Sequence, residues 1–251
     1  MSNKAIQIEN FPHPREVSEL IGHKTAERTL ATLCDLGRVP PAILIMGPKG
    51  IGKATLAYRL ARYVLAAGAA NHTNMFPDQD DVSLSVSVTQ EVFSRVASQG
   101  HADLFTLEKG TNLRSGLARN EITIDEAREL QKFLKLTPAG SSPKIAIIDA
   151  ADEMNINAAN SILKSLEEPP GDAMLILISH VPGRLLPTIR SRCQNVTLRP
   201  LSRQNFGLVV LGLKEDSKES ELDILWELSR GSPGRALTIL RYDGLKLYTQ
   251  L

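Results

Sequence analysis

A single stretch, residues 42–65, constrains the fold of this chain more than any other part of its sequence. It begins with the apolar run 42–46, which is too short for a buried helix but long enough for a buried strand. A glycine-rich turn follows. Beyond it, apolar side chains recur at helical spacing, at Leu56, Ala57, Leu60, Ala61, Val64 and Leu65. The stretch therefore predicts a strand, a loop and a helix in direct succession.

The turn matches the phosphate-binding loop pattern, GxxxxGK followed by Ser or Thr, at every position but the last. Its glycines and lysine are Gly47, Gly50, Gly52 and Lys53. In such a loop, backbone N–H groups surround the phosphates and the lysine reaches the outer ones. Because the pattern stands between a strand and a helix, we predict a nucleotide-binding loop here. A glycine turn without a ligand is the alternative.

The last position of the pattern is Ala54, where a hydroxyl group would hold Mg²⁺. The loop can therefore bind ATP, but we do not expect it to hold Mg²⁺ well. Thr55, the next residue, could replace the missing hydroxyl. The loop thus predicts nucleotide binding more firmly than it predicts hydrolysis.

Two further apolar runs end in polar residues that we expect beside this loop. Residues 144–149 end in Asp149, and residues 174–179 end in Ser179. In a parallel sheet the carboxyl ends of the strands share one edge, where nucleotides bind. Asp149 is a candidate Walker B acid or else a helix cap, and Ser179 is placed to contact a terminal phosphate or else ends a turn. Ala150 stands where hydrolysing ATPases often carry a water-orienting glutamate.

Strands and helices alternate over residues 1–200, which predicts an α/β fold with a parallel sheet flanked by helices. Pro200 marks the expected boundary. Residues 201–251 are predicted to form a small all-helical lid domain, with Trp226 as an anchor of its core.

The charge balance and the cysteine content exclude several classes of protein. The chain has 29 basic and 28 acidic residues, so it has no overall attraction to nucleic acid or to a membrane surface. Two distant cysteines, Cys34 and Cys193, without a CxxC pair argue against a metal site and a disulfide framework. No signal peptide and no apolar run of membrane-spanning length is present. We therefore expect a cytoplasmic protein with no membrane partner.

The most specific motifs lie beyond the loop. Residues 157–170 read NAANSILKSLEEPP, in which Asn157 is predicted to begin a helix, and residues 186–193 read LPTIRSRC. With the loop, these motifs resemble the clamp-loader branch of the AAA+ proteins, and within it the delta-prime family of bacterial DNA polymerase III. The resemblance spans about residues 15–240 and implies a P-loop AAA+ nucleotide-binding domain followed by the lid.

The resemblance also implies roles for two arginines. Arg192 of the SRC segment would act as an arginine finger that reaches a neighbour's ATP. Residues 231–235 match the sensor 2 segment of the lid, which adds Arg235 to the nucleotide-binding residues. The zinc-binding cysteines common in bacterial relatives are absent from residues 68–100, so no zinc is expected. The family's third, collar domain is also expected to be absent.

The partners implied by the resemblance are other clamp-loader subunits in a hetero-oligomeric ring, with the sliding clamp and primed DNA contacted through the complex. The ring belongs to a DNA-directed DNA polymerase (nucleotidyltransferase) holoenzyme. A stator is the leading hypothesis: its own ATPase is expected to be weak or absent, and its finger serves a neighbour. An ATP-hydrolysing motor subunit and a stand-alone P-loop kinase are the alternatives.

Overall fold

The computed structural model describes residues 11–69, 83–110, 119–213, 219–242 and 244–245. Its helices are α1 (Lys24–Asp35), α2 (Lys53–Ala69), α3 (Glu91–Ala97), α4 (Ile124–Leu134), α5 (Ile156–Glu167), α6 (Pro187–Arg190), α7 (Arg203–Leu213), α8 (Glu219–Ser229) and α9 (Pro233–Arg241). Its strands are β1 (Ala42–Met46), β2 (Leu104–Glu108), β3 (Ile145–Asp149), β4 (Met174–Ser179) and β5 (Gln194–Thr197). No helix in this part of the chain is long and apolar enough to cross a membrane.

The strands form one parallel sheet in the order β2-β3-β4-β1-β5. Met46 at the end of β1 lies beside Ser179 at the end of β4, and Glu108 at the end of β2 lies beside Asp149 at the end of β3. The register therefore brings four carboxyl-terminal strand ends to one edge of the sheet.

Both faces of the sheet are covered by helices, which explains why its central strands are apolar up to their carboxyl ends. One face packs against α1, α2 and α3, and the other packs against α4, α5 and α6. Alternate residues of a strand enter opposite cores: Ile43 and Ile45 belong to the first, Ala42 and Leu44 to the second. The predicted α/β fold with a parallel sheet flanked by helices is confirmed.

Short polar side chains fix where two of the helices begin. Asn155 Oδ1 accepts a hydrogen bond from the backbone N–H of Ala158 at 2.9 Å, so α5 begins one residue before the predicted start at Asn157. The backbone N–H of Thr123 donates to Oε2 of Glu126 at 2.7 Å, as part of a capping box at the start of α4.

The lid helices α7, α8 and α9 have an apolar core of their own. Its buried residues are Leu201, Phe206, Val210, Leu222, Leu225 and Ala236. Trp226 packs against this core, as predicted, and its Nε1–H donates to the backbone oxygen of Leu201 at 3.1 Å. Trp226 thus ties α8 to the segment that enters the lid, while the domain boundary at residue 200 stays a prediction.

Candidate functional site

Several of the predicted site residues meet at the carboxyl edge of the sheet. The loop begins at Gly47, directly after β1, and Asp149 and Ser179 end β3 and β4. The backbone N–H of Gly47 donates to the oxygen of Ser179 at 3.3 Å. The fold therefore brings the loop, the candidate Walker B acid and the predicted phosphate-contacting serine into one region.

The lysine of the loop is bound to the loop itself. Lys53 Nζ donates to the backbone oxygens of Gly47 at 2.7 Å and Pro48 at 2.6 Å, and the residue is 3% exposed. Burial lowers the pKa of Lys53 to about 8, and the negative charges of Asp149 and Asp152 oppose that shift. The ammonium group therefore donates to two carbonyl oxygens of the turn. It would have to give up these contacts in order to bind a phosphate.

Burial shifts the pKa values of the titratable side chains near this lysine. Burial, with the nearby carboxylate of Glu108, raises the pKa of Asp149 to about 6. Burial, with the charge of Lys53, lowers the pKa of His180 to about 4, so its imidazole is neutral at pH 7. Ser179 Oγ is buried and has no hydrogen-bond partner among the described residues. The positive charge of Lys53 opposes the rise in the pKa of Asp149.

The lid covers the outer part of the loop. Ser232 Oγ donates to the backbone oxygen of Lys49 at 2.7 Å, and the N–H of Gly234 donates to the oxygen of Gly50 at 2.8 Å. A Cβ atom on Gly234 would lie 2.7 Å from the Cα of Gly50, so the two backbones approach as closely as glycine allows. Arg235 lies in the first turn of α9, beside this contact, with an exposed side chain.

The loop fits a phosphate better than it fits Mg²⁺. Gly47 and Gly52 have φ angles of +146° and +104°, the backbone conformation that glycine turns of this kind use. Ala54 provides no oxygen. Thr55 lies one residue further along α2, about 100° around the helix axis. Its hydroxyl therefore points in a different direction from a hydroxyl at position 54. No group of three or more His, Cys, Asp or Glu among the described residues is arranged to hold a metal ion.

Arg192 lies near the amino-terminal ends of the strands, on the side of the sheet opposite the phosphate loop. It precedes β5, whose first residue pairs with Ile43 near the start of β1 and whose last residue, Thr197, pairs with Met46. At roughly 3.3 Å per residue, the steps from Gln194 to Thr197 span about 10 Å. The structure therefore separates Arg192 from the phosphate loop of its own chain.

Three residues that make site contacts received no individual role from the sequence, although Ser232 and Glu167 lie within the quoted motifs. Asp152 accepts hydrogen bonds from the backbone N–H groups of His180 at 2.7 Å and Val181 at 3.2 Å, which ties the segment after β3 to the segment after β4. Ser232, whose hydroxyl caps α9 and contacts the loop, stands in a Ser-Pro helix-start pattern that gives no sign of the loop contact. Glu167 contacts Arg192.

Comparison with known proteins identifies relatives of this chain. A family model described as "DNA polymerase III, delta subunit" matches residues 22–202. DNA polymerase III subunit delta' of Pseudomonas aeruginosa is 36% identical over 209 residues, which cover 81% of this chain and 56% of that protein. The chain therefore spans about half the length of the curated delta' relatives that it matches.

Solved structures agree with the fold. A DNA polymerase III gamma-subunit-related protein of Thermotoga maritima has a TM-score of 0.51 at 22% identity, over 84% of this chain and 57% of that one. A RuvB variant of the same organism has a TM-score of 0.54 at 14% identity, over 94% and 68% of the two chains. These likenesses support the P-loop AAA+ fold. Because the family model also covers more than half of the sequence, the chain belongs to the DNA polymerase III delta-subunit family.

Proposed function

We propose that this chain is a delta-prime-like stator of a bacterial clamp loader. In this role it helps to load the sliding clamp on primed DNA and supplies Arg192 to the ATP site of a neighbouring subunit. The observation that carries the proposal is the position of Arg192, which lies at the far edge of the sheet from its own phosphate loop. A finger in that position can serve only a nucleotide that another chain holds.

The chemistry of Arg192 suits this role. A guanidinium group keeps its positive charge at any physiological pH and presents N–H donors in a fork that matches phosphate oxygens. In phosphoryl transfer, such a group supplied by a second protein stabilises the charge that develops in the transition state. The side chain of Arg192 is 34% exposed, so it remains accessible to a neighbour.

The chain's own loop supports a weak or absent ATPase. Ala54 removes the hydroxyl ligand for Mg²⁺, and Ala150 removes the acid that would orient the attacking water. Contacts from Ser232 and Gly234 cover the loop. ATP fits the glycines and lysine of the loop as a ligand, but we place hydrolysis in the neighbouring subunits.

An ATP-hydrolysing motor subunit is the second candidate. It is favoured by the electrostatic attraction between Asp149 and Lys53, since an ATPase site needs both an acid that organises the metal ion and a lysine that binds the phosphates. The direction of Thr55 weighs against it, because the Thr55 hydroxyl does not replace the Mg²⁺ ligand that is missing at Ala54. A stand-alone kinase gains no support, because the relatives are named as subunits of DNA polymerase III.

The proposed partners can be tested by clamp loading with purified components. The other clamp-loader subunits, a fluorescent sliding clamp, primed DNA and ATP from the same organism are combined with and without this chain. We expect the chain to co-elute with the ATPase subunits and the loading rate to rise when it is present. A chain that neither joins the complex nor changes the loading rate would contradict the proposal.

A further inference from the structure

The guanidinium group of Arg192 is held by two partners on its own chain. Its Nε–H donates to Oε1 of Glu167 at 2.6 Å, and its Nη2 also contacts that oxygen. Its Nη1 donates to the backbone oxygen of Thr188 at 3.0 Å. One edge of the guanidinium group is thus fixed by a carboxylate, and the third nitrogen is fixed by a carbonyl.

Among the described residues, these contacts leave part of the fork free. A guanidinium group has five N–H donors, one on Nε and two on each terminal nitrogen. The contacts to Glu167 and Thr188 use one donor on each nitrogen, so Nη1 and Nη2 of Arg192 each keep one. Two donors on neighbouring nitrogens are the arrangement that binds two oxygens of a phosphate.

The elements that carry this pair are fixed by packing. Glu167 is the last residue of α5, directly after Leu166, which is 3% exposed. Arg192 follows α6, in which Ile189 is 0% exposed. Leu166 and Ile189 belong to the same apolar core, so the backbones that carry the acid and the base are held relative to each other.

We propose that Glu167 is a positioning residue for Arg192: it fixes the direction of the guanidinium group so that the two free donors meet a neighbour's nucleotide. This inference rests on the proposed function. The Glu167 side chain is 48% exposed and that of Arg192 34%, and a pair this exposed contributes little to folding stability. Its effect is therefore on the placement of the finger.

The chain provides a matched control beside the proposed residue. Glu168 is the next residue and is exposed, and its carboxylate makes no ion pair or hydrogen bond among the described residues. Glu167→Gln and Glu168→Gln each remove one negative charge from the same turn, but only the first weakens the contact with Arg192. A difference between the two variants therefore reports on that contact and not on local charge.

The test measures steady-state ATP turnover of the complete clamp loader, with sliding clamp and primed DNA, for four versions of this chain besides wild type. These are Glu167→Gln, Glu168→Gln, Arg192→Ala and the double variant Glu167→Gln with Arg192→Ala. We expect Glu167→Gln to lower kcat roughly ten-fold with little change in KM, because a catalytic group that is displaced by about 1 Å loses much of its effect on the rate. Glu168→Gln is expected to match wild type. The double variant is expected to match Arg192→Ala.

Two results would overturn the inference while the proposed function stands. In one, Arg192→Ala lowers kcat but Glu167→Gln leaves it unchanged or raises it. In the other, Glu167→Gln lowers kcat by the same factor with and without Arg192, so that it acts by another route. An Arg192→Ala variant with wild-type turnover would instead overturn the proposed function, and this inference with it.

Discussion

Replacing Arg192 with alanine is expected to lower the ATP turnover of the neighbouring subunit about 10³-fold in the assembled complex. The physical reason is the loss of a positive charge and of two phosphate donors at the point where the transferring phosphoryl group develops negative charge. The fold of this chain is expected to survive, because the substitution removes only a partly exposed ion pair with Glu167.

The measurement is the steady-state ATPase rate of the complex with sliding clamp and primed DNA, with two further variants as controls. Arg190→Ala removes an exposed arginine of α6 for which the described residues show no ion pair, and it is expected to leave turnover unchanged. Arg192→Lys keeps the charge but loses the planar fork, so its turnover should fall between wild type and alanine. Wild-type turnover by the Arg192→Ala complex would contradict the proposed role.

The second large effect is on stability and concerns a buried ion pair between the first two helices. Arg59 of α2 is 5% exposed and Glu27 of α1 is 6% exposed, and Arg59 Nε donates to Glu27 Oε1 at 3.1 Å. The same carboxylate oxygen accepts the backbone N–H of Leu84 at 3.2 Å. Arg59→Met is expected to lower the free energy of unfolding by about 3–5 kcal/mol, because it leaves the Glu27 charge buried without its partner.

Urea unfolding of the purified chain measures this loss, and a second ion pair on a helix provides the comparison. Arg95 and Glu91 of α3 are paired one turn apart, with side chains 56% and 75% exposed. Arg95→Met is expected to change the free energy of unfolding by no more than about 0.5 kcal/mol, as is usual for exposed pairs on a helix. Equal effects of the two substitutions would show that burial does not set the strength of these pairs.

The sequence predicts the strands well where burial on both faces of the sheet leaves a continuous apolar run. The strands β1 and β4 were predicted with the observed bounds, because each is a short run of apolar residues with a polar or glycine stop. The start of α5 was predicted one residue late, because the periodicity of Asn157 and its neighbours does not reveal which asparagine caps the helix. The observed cap is Asn155.

The candidate site could be predicted only in part. The phosphate loop and Asp149 follow from local patterns, since each lies at the end of a strand. The contact of Ser232 with Lys49 joins residues 183 positions apart, and no spacing in the sequence encodes it. The pairing of Glu167 with Arg192 likewise depends on how α5 and α6 pack, so the motifs identify both segments but not their contact.

The measurement that tests the central claim most directly compares two variants of this chain in one assay. Lys53→Ala disables the chain's own phosphate loop, and Arg192→Ala removes the finger offered to a neighbour. Each is assembled into the clamp loader, and ATP turnover is measured with sliding clamp and primed DNA. The stator proposal predicts a large loss for Arg192→Ala and turnover near wild type for Lys53→Ala. A large loss for Lys53→Ala with wild-type turnover for Arg192→Ala would contradict it and favour a motor subunit.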